Sequence, residues 1–149
     1  MTSELEELYQ SVILAHSTRP RNFGEIADAV RVRGDNPSCG DEIELCVKFA
    51  PDGVVEDIKF TGQGCAISLA SASMMTLKLK GKSRADAQEM AHAFHDLVTT
   101  EVAEPPRQLG DLRLMQGVRK FPQRVKCAML AWRAFEQAMG EGGTVSTEG

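Results

Sequence analysis

The sequence predicts an α+β fold in which a three-stranded antiparallel sheet packs against helices. Two observations predict it. Three short segments in the first part of the chain alternate apolar and polar residues and are separated by turn residues. After Gly62-Gln63-Gly64-Cys65 the pattern changes to long stretches whose apolar residues recur at helical spacing.

Taken in order, Leu5, Leu8, Tyr9, Val12, Ile13 and His16 share one helical face, which predicts a first helix over Ser3–Ala15. Thr18-Arg19-Pro20-Arg21-Asn22 ends it. Ala29–Arg33 alternates and reads as a first strand. Ile43, Leu45, Val47 and Phe49 alternate with Glu42, Glu44, Cys46 and Lys48, giving a second strand with one apolar face. Pro51-Asp52-Gly53 signals a turn. Val54, Glu56, Ile58 and Phe60 then alternate with Val55, Asp57, Lys59 and Thr61 as a third strand. Such strands suit an antiparallel meander with one face covered by helices. Ala66–Leu79, rich in Ala, Ser, Met and Leu, reads as a buried helix. Ser83 with Asp86 resembles a capping box before a helix that carries Ala87, Met90, Ala91, Phe94 and Val98 on one face. Pro105-Pro106 interrupts, a short helix is expected over Leu109–Val118, and Pro122 opens the last helix, Gln123–Met139. Residues 1–139 are expected to form a single domain, with 140–149, "GEGGTVSTEG", a disordered tail.

The formal charge of −4 argues against a general nucleic-acid binder, which would show a basic face. No stretch approaches the roughly 20 apolar residues of a membrane span. The N-terminal stretch is acidic and lacks an apolar signal core, so a cytoplasmic location is expected. Thiols are kept reduced there, so the 4 cysteines read as ligands, reactive groups or packing residues rather than disulfides.

The hexapeptide Asn36-Pro37-Ser38-Cys39-Gly40-Asp41 holds a thiol and a carboxylate close together within a turn. If Phe49 faces Val54 across the turn, Asp41 lies near Gly62 and Cys39 near Gly64, so Cys39, Asp41 and Cys65 gather at one end of a hairpin. Adjacent strands are about 4.8 Å apart, so ligands from both reach one ion. Cys127 opens a stripe with Leu130, Ala131, Ala134, Phe135 and Ala138, facing inward near the start of the last helix. Three thiolates and a carboxylate form a tetrahedral set that suits zinc. Cys65 and Cys127 both sit near helix N-termini, where the backbone dipole favours a thiolate. Cys46 lies mid-strand on the other side of the sheet and is left out.

Each piece also has a plainer reading. The hexapeptide is compatible with an ordinary turn, and Cys65 and Cys127 with small core residues. No CxxC pair occurs. Gly81-Lys82-Ser83 is not a phosphate loop, because the earlier Gly that motif requires is Thr76. His92 and His95 read as surface or boundary residues, His16 as a cationic partner of its helix C-terminus, and the Met74-Met75 region as core.

"LYQSVILAHSTRPRNFG", "NPSCGDEIEL", "FTGQGCAISLASASMM" and "VKCAMLAW" together resemble the IscU-like family of iron–sulfur cluster assembly proteins, and within it the SufU branch, over about Leu8 to Trp132. Lys126 stands where the scaffold branch has a His before its third cysteine, and the connection between Cys65 and Cys127 is long, with the SufU-type insert placed around Ala103–Arg119. "FPQRVK" replaces the chaperone motif of the scaffold branch. The resemblance implies one Zn²⁺ bound by Cys39, Asp41, Cys65 and Cys127. It also implies sulfur delivered by a SufS-type, pyridoxal-phosphate-dependent cysteine desulfurase, with cluster-assembly proteins downstream. Cys39, on its Gly-flanked loop, is the expected sulfur acceptor, released from the metal when a histidine of the desulfurase takes its place. Arg124, close to Cys127 in sequence, is the expected support of the anionic site. Two rival functions are a scaffold that holds iron or a [2Fe–2S] cluster on the same ligands, and a zinc-stabilised interaction domain without sulfur chemistry.

Overall fold

The computed structural model describes residues 3–140 and 143–146, with side chains described for 11–140. The side chains of Leu5, Leu8 and Tyr9 on the expected helix face lie outside the described residues, as do tail positions 141–142 and 147–149. The elements run α1 (Ser3–Thr18), β1 (Val30–Asn36), β2 (Asp41–Phe49), β3 (Val55–Gln63), α2 (Ala66–Leu79), α3 (Arg84–Thr99), a 3₁₀ segment (Arg107–Lys120), α4 (Pro122–Ala138) and β4 (Gly143–Ser146). The expected α+β fold is present: β1, β2 and β3 form an antiparallel meander against which the helices pack.

The sheet order is β3-β2-β1-β4. The fourth strand corrects the expectation of an unstructured tail. Gly143–Ser146 runs parallel to β1, opposite Val32–Asp35, and gives the outer edge of that strand its backbone partners. The β2–β3 register is also shifted from the expected one. Glu42 pairs with Gln63 and Ile43 with Gly62, because the turn is wider and an irregularity falls between Lys48 and Phe49. The shift is two residues along most of β3, so Ile58 and Phe60 keep their face, but at the irregularity Val55 rather than Val54 pairs with Phe49 and turns into the core.

Val32, Ile43, Leu45, Val47, Ile58 and Phe60 form the buried face of the sheet. α4 lies across β1 and β2, and α2 packs on both β3 and α4. The largest buried side chain, Trp132, stacks on Phe94 at 4.6 Å, tying α4 to α3. Its indole N–H donates to Ser71 Oγ at 3.1 Å, and that hydroxyl donates to the Ala128 carbonyl at 2.6 Å. α2 and α4 are thus joined one residue from Cys127.

α3 begins as expected: Ser83 Oγ accepts the Asp86 N–H at 3.1 Å. The short helix expected over Leu109–Val118 is instead two 3₁₀ stretches that meet at Gly110, whose φ of 54° and ψ of −129° no helix accommodates. Among the described residues no helix is long and apolar enough to cross a membrane.

Candidate metal centre

The β1–β2 connection is four residues long, Pro37-Ser38-Cys39-Gly40, between the paired residues Asn36 and Asp41. The Cys39 N–H donates to the Asn36 carbonyl at 3.1 Å, closing a turn. Gly40 follows with φ +72°, a left-handed conformation that disfavours a side chain. This turn leaves Cys39 half-buried at the loop tip and Asp41 fully buried at the first position of β2.

The loop leading out of β3 meets it. Cys65 is the N-cap residue of α2, and its N–H donates to Asp41 Oδ1 at 2.8 Å. The close approach of the two backbones requires Gly64, where a Cβ would stand 2.3 Å from that same oxygen. Cys127, in the first turns of α4, arrives from the helical layer and is 0% exposed.

Cys39, Asp41 and Cys127 each offer a ligand atom, and these atoms all lie within 4.8 Å of one another. Cys65 is not part of that tightest trio, yet its Sγ is 4.0 Å from Asp41 Oδ2 and it is hydrogen-bonded to Cys127. All four residues singled out in the sequence are therefore brought to one place, from the tip of one hairpin, the N-terminus of α2 and the start of α4.

The electrostatics follow from that crowding. The Cys65 thiol is pushed down to about 6, chiefly because Cys127 donates to its sulfur. Burial opposes the shift, the backbone N–H groups of Ser68 and Ile67 at the start of α2 support it, and Asp41 opposes it. The Cys127 thiol is pushed up, first by its bond to Cys65, then by burial and by Asp41 and Cys39. Arg124 is exposed, and its guanidinium is held above its usual range by the Cys65 sulfur first and by contact with Cys127.

These shifts give an expected result for the metal-free protein. Alkylation of Cys65 by iodoacetamide should rise with a midpoint near pH 6, against about 8.5 for a free thiol. Peptide mapping across a pH series checks this; a midpoint at the free-thiol value would contradict the arrangement. Because the folded value lies below the ordinary thiol value, the stability this group contributes is complete above that ordinary value and is lost as pH falls through about 6.

Cys46 stands apart, as its side of the strand predicts, but it is not solvent-exposed. It is 0% exposed beneath Arg31, whose Nη1 lies 3.4 Å from its sulfur and 2.9 Å from Glu25. His16 lies in the last turn of α1, as expected, but its half-buried ring bonds Ser73 Oγ through Nδ1 at 2.7 Å. Burial and then Arg21 push it down, toward the neutral form. The residue that sequence reasoning passed over is Asn36, fully buried with Nδ2 3.6 Å from Cys127 Sγ. Its signal was a polar residue at a strand end just before the Pro of the hexapeptide.

A small α+β domain with a thiol-rich cluster at one end of its sheet defines a recognised class, and the chain belongs to the family of the NifU-like N-terminal domain, which it matches over residues 8–140. It is 46% identical over 143 residues to the zinc-dependent sulfurtransferase SufU of Bacillus subtilis (strain 168), covering 95% of this chain and 97% of that one. It is 44% identical over 137 residues to the iron–sulfur cluster assembly scaffold protein IscU of Streptococcus pyogenes serotype M1, covering 92% and 86%. Among solved structures it resembles FiSufU of Fervidobacterium islandicum AW-1, assigned as an iron–sulfur cluster assembly scaffold protein for the SUF system. The TM-score there is 0.80, with 34% identity and coverage of 90% of this chain and 98% of that one.

Proposed function

We propose that this protein is a zinc-dependent sulfurtransferase that accepts persulfide sulfur from a SufS-type cysteine desulfurase for iron–sulfur cluster assembly. The observation that carries the reading is the convergence of Cys39, Asp41, Cys65 and Cys127, with Cys39 alone on a loop. The 46% identity to a relative named for this activity supports it.

The donor set fits zinc. Zn–S bonds are about 2.3 Å, so ligand atoms on one tetrahedral ion stand about 3.8 Å apart. Atoms already within 4.8 Å of one another need only small movements to reach that spacing. When bound, the ion supplies charge that keeps its thiolates deprotonated and joins the hairpin tip to α2 and α4.

The chain's own residues account for the rest. The Cys39 sulfur attacks the outer sulfur of the desulfurase persulfide; an S–S bond forms on Cys39 and the desulfurase cysteine leaves as thiolate. Cys39 suits this role because it is half-buried at a loop tip, within reach of a partner's cysteine. Cys65 and Cys127 are anchored on helices, and Cys127 is closed to solvent. Asp41 braces the site through its bond to the Cys65 N–H. Arg124 offsets the surplus negative charge of the cluster from the exposed side.

Elemental analysis of the purified protein, combined with desulfurase turnover measured with and without it, tests the proposal. About one zinc per chain and accelerated turnover are expected. A metal-replete sample without zinc, or turnover indifferent to the protein, would refute it. The relatives named as scaffolds favour a second reading, in which the same ligands hold [2Fe–2S]. Anaerobic reconstitution with iron and sulfide, followed by transfer to an apo-ferredoxin, separates the two.

A further inference from the structure

Asn36 is the last residue of β1 and pairs across the hairpin with Asp41, the first residue of β2. Cross-strand partners share a face, so the carboxamide and the carboxylate leave the sheet together, toward the same cluster. Both are closed to solvent, Asn36 at 0% and Asp41 at 1% exposed. Asn36 Nδ2 is 3.6 Å from Cys127 Sγ, within range of an N–H donor to sulfur. Its Oδ1 is also buried and has no partner among the described residues.

That combination is unfavourable for folding alone. A buried acceptor without a partner destabilises the native state, and an apolar side chain of similar size would avoid the penalty. Among the described residues, the contact that explains an amide here is the bond to Cys127. The other groups that meet this sulfur are Cys65, Asp41 and Cys39, all anionic or able to become so. Arg124 approaches from the exposed side, and Asn36 supplies a donor from within the fold.

We propose that Asn36 is a positioning residue of the metal centre: its carboxamide N–H holds the Cys127 sulfur in place as a fixed ligand, leaving exchange to Cys39. This rests on the metal-site reading above. A donor to a bound thiolate draws off electron density and fixes its direction, as outer-shell partners do for other ligands. The turn that carries Cys39 starts from the same residue, since the Asn36 carbonyl accepts the Cys39 N–H at 3.1 Å. One residue thereby anchors the immobile ligand through its side chain and the loop of the mobile one through its backbone.

The test uses Asn36→Leu and Asn36→Ala in the full chain, each also combined with Cys127→Ala. Zinc affinity is read by competition with a chromophoric chelator, and the site is viewed through the visible spectrum of the Co²⁺-substituted protein. Asn36→Leu should leave the melting temperature of the metal-free protein unchanged or higher. It should lower zinc affinity by about 10–100-fold and shift the sulfur-to-cobalt charge-transfer band. In the Cys127→Ala background the same change should alter affinity by less than about twofold. Asn36→Ala should reproduce the affinity and spectral effects. Wild-type affinity and spectrum in Asn36→Leu, or an equal loss with and without Cys127, would overturn the assignment. A wild-type chain that takes up neither ion would overturn the metal-site reading itself, and this assignment with it.

Discussion

Replacing Cys39 with alanine is expected to reduce persulfide acceptance by on the order of 100-fold or more, because the atom that forms the new S–S bond is gone. The fold should survive. Cys39 is half-buried in a four-residue turn that two backbone hydrogen bonds close, the Cys39 N–H to the Asn36 carbonyl and the Gly40 N–H to the Pro37 carbonyl. A substitution at such a site changes metal-free stability by about 0.5 kcal/mol or less. The measurement is mass spectrometry of the chain after incubation with desulfurase and cysteine, looking for one added sulfur, beside a thermal melt. Sulfur uptake at the wild-type level by a folded Cys39→Ala variant would move the acceptor role elsewhere.

Gly64→Ala is expected to disrupt the centre without touching a ligand. The added methyl would lie 2.3 Å from Asp41 Oδ1, 3.0 Å from its Cγ and 3.1 Å from its Cα. Contacts that short cannot be kept, so the carboxylate must turn away or the corner after β3 must open. Either movement breaks the 2.8 Å bond from the Cys65 N–H to Asp41. A hydrogen bond to a buried carboxylate contributes about 1.5–3 kcal/mol, and zinc affinity should fall with it by about 10–100-fold. Chemical denaturation and chelator competition read the two effects. Gly40→Ala is the informative comparison. A Cβ there meets nothing within 4 Å, and only its φ of +72° is at stake. That should cost about 1–2 kcal/mol with little effect on the metal. Equal metal affinity in Gly64→Ala and wild type would show that Asp41 is not held as described.

Much of this arrangement was legible in the sequence, for identifiable reasons. Ile43, Leu45 and Val47 repeat with the period of a half-buried strand, and Pro51-Asp52-Gly53 marks where it reverses, so the hairpin and its far end follow. That alone brings Cys39 and Asp41 toward Cys65. The two-residue register error left the faces at the cluster end of the hairpin intact and exchanged only Val54 for Val55 near the turn, which is why the site survived it. Cys127 followed from its place on the apolar stripe of α4. What escaped depended on tertiary context. Periodicity puts Cys46 on the outer side of the sheet and carries no sign that Arg31, itself paired with Glu25, lies over it. His16 sits in the last turn of α1 as its position predicts, but the helical pattern carries no sign that its ring is bonded to Ser73. The Thr144-Val145 stretch is too short and too Gly-flanked to read as a strand, and it forms one by pairing with β1. Gly110 gave no hint that the segment around it breaks into two turns.

The fourth strand bears on how the molecule behaves in a crowded solution. An open row of backbone donors and acceptors at the margin of a sheet invites another chain to add itself. On one margin, Gly143–Ser146 covers that row along β1 and becomes the edge itself, an edge strand of only 4 residues. On the opposite margin, Phe23 bridges to Phe60: the Gly24 N–H reaches the Phe60 carbonyl at 2.8 Å, and the Phe60 N–H reaches the Asn22 carbonyl at 3.1 Å. With both flanks partly occupied by its own chain, the sheet offers little template for self-propagating growth.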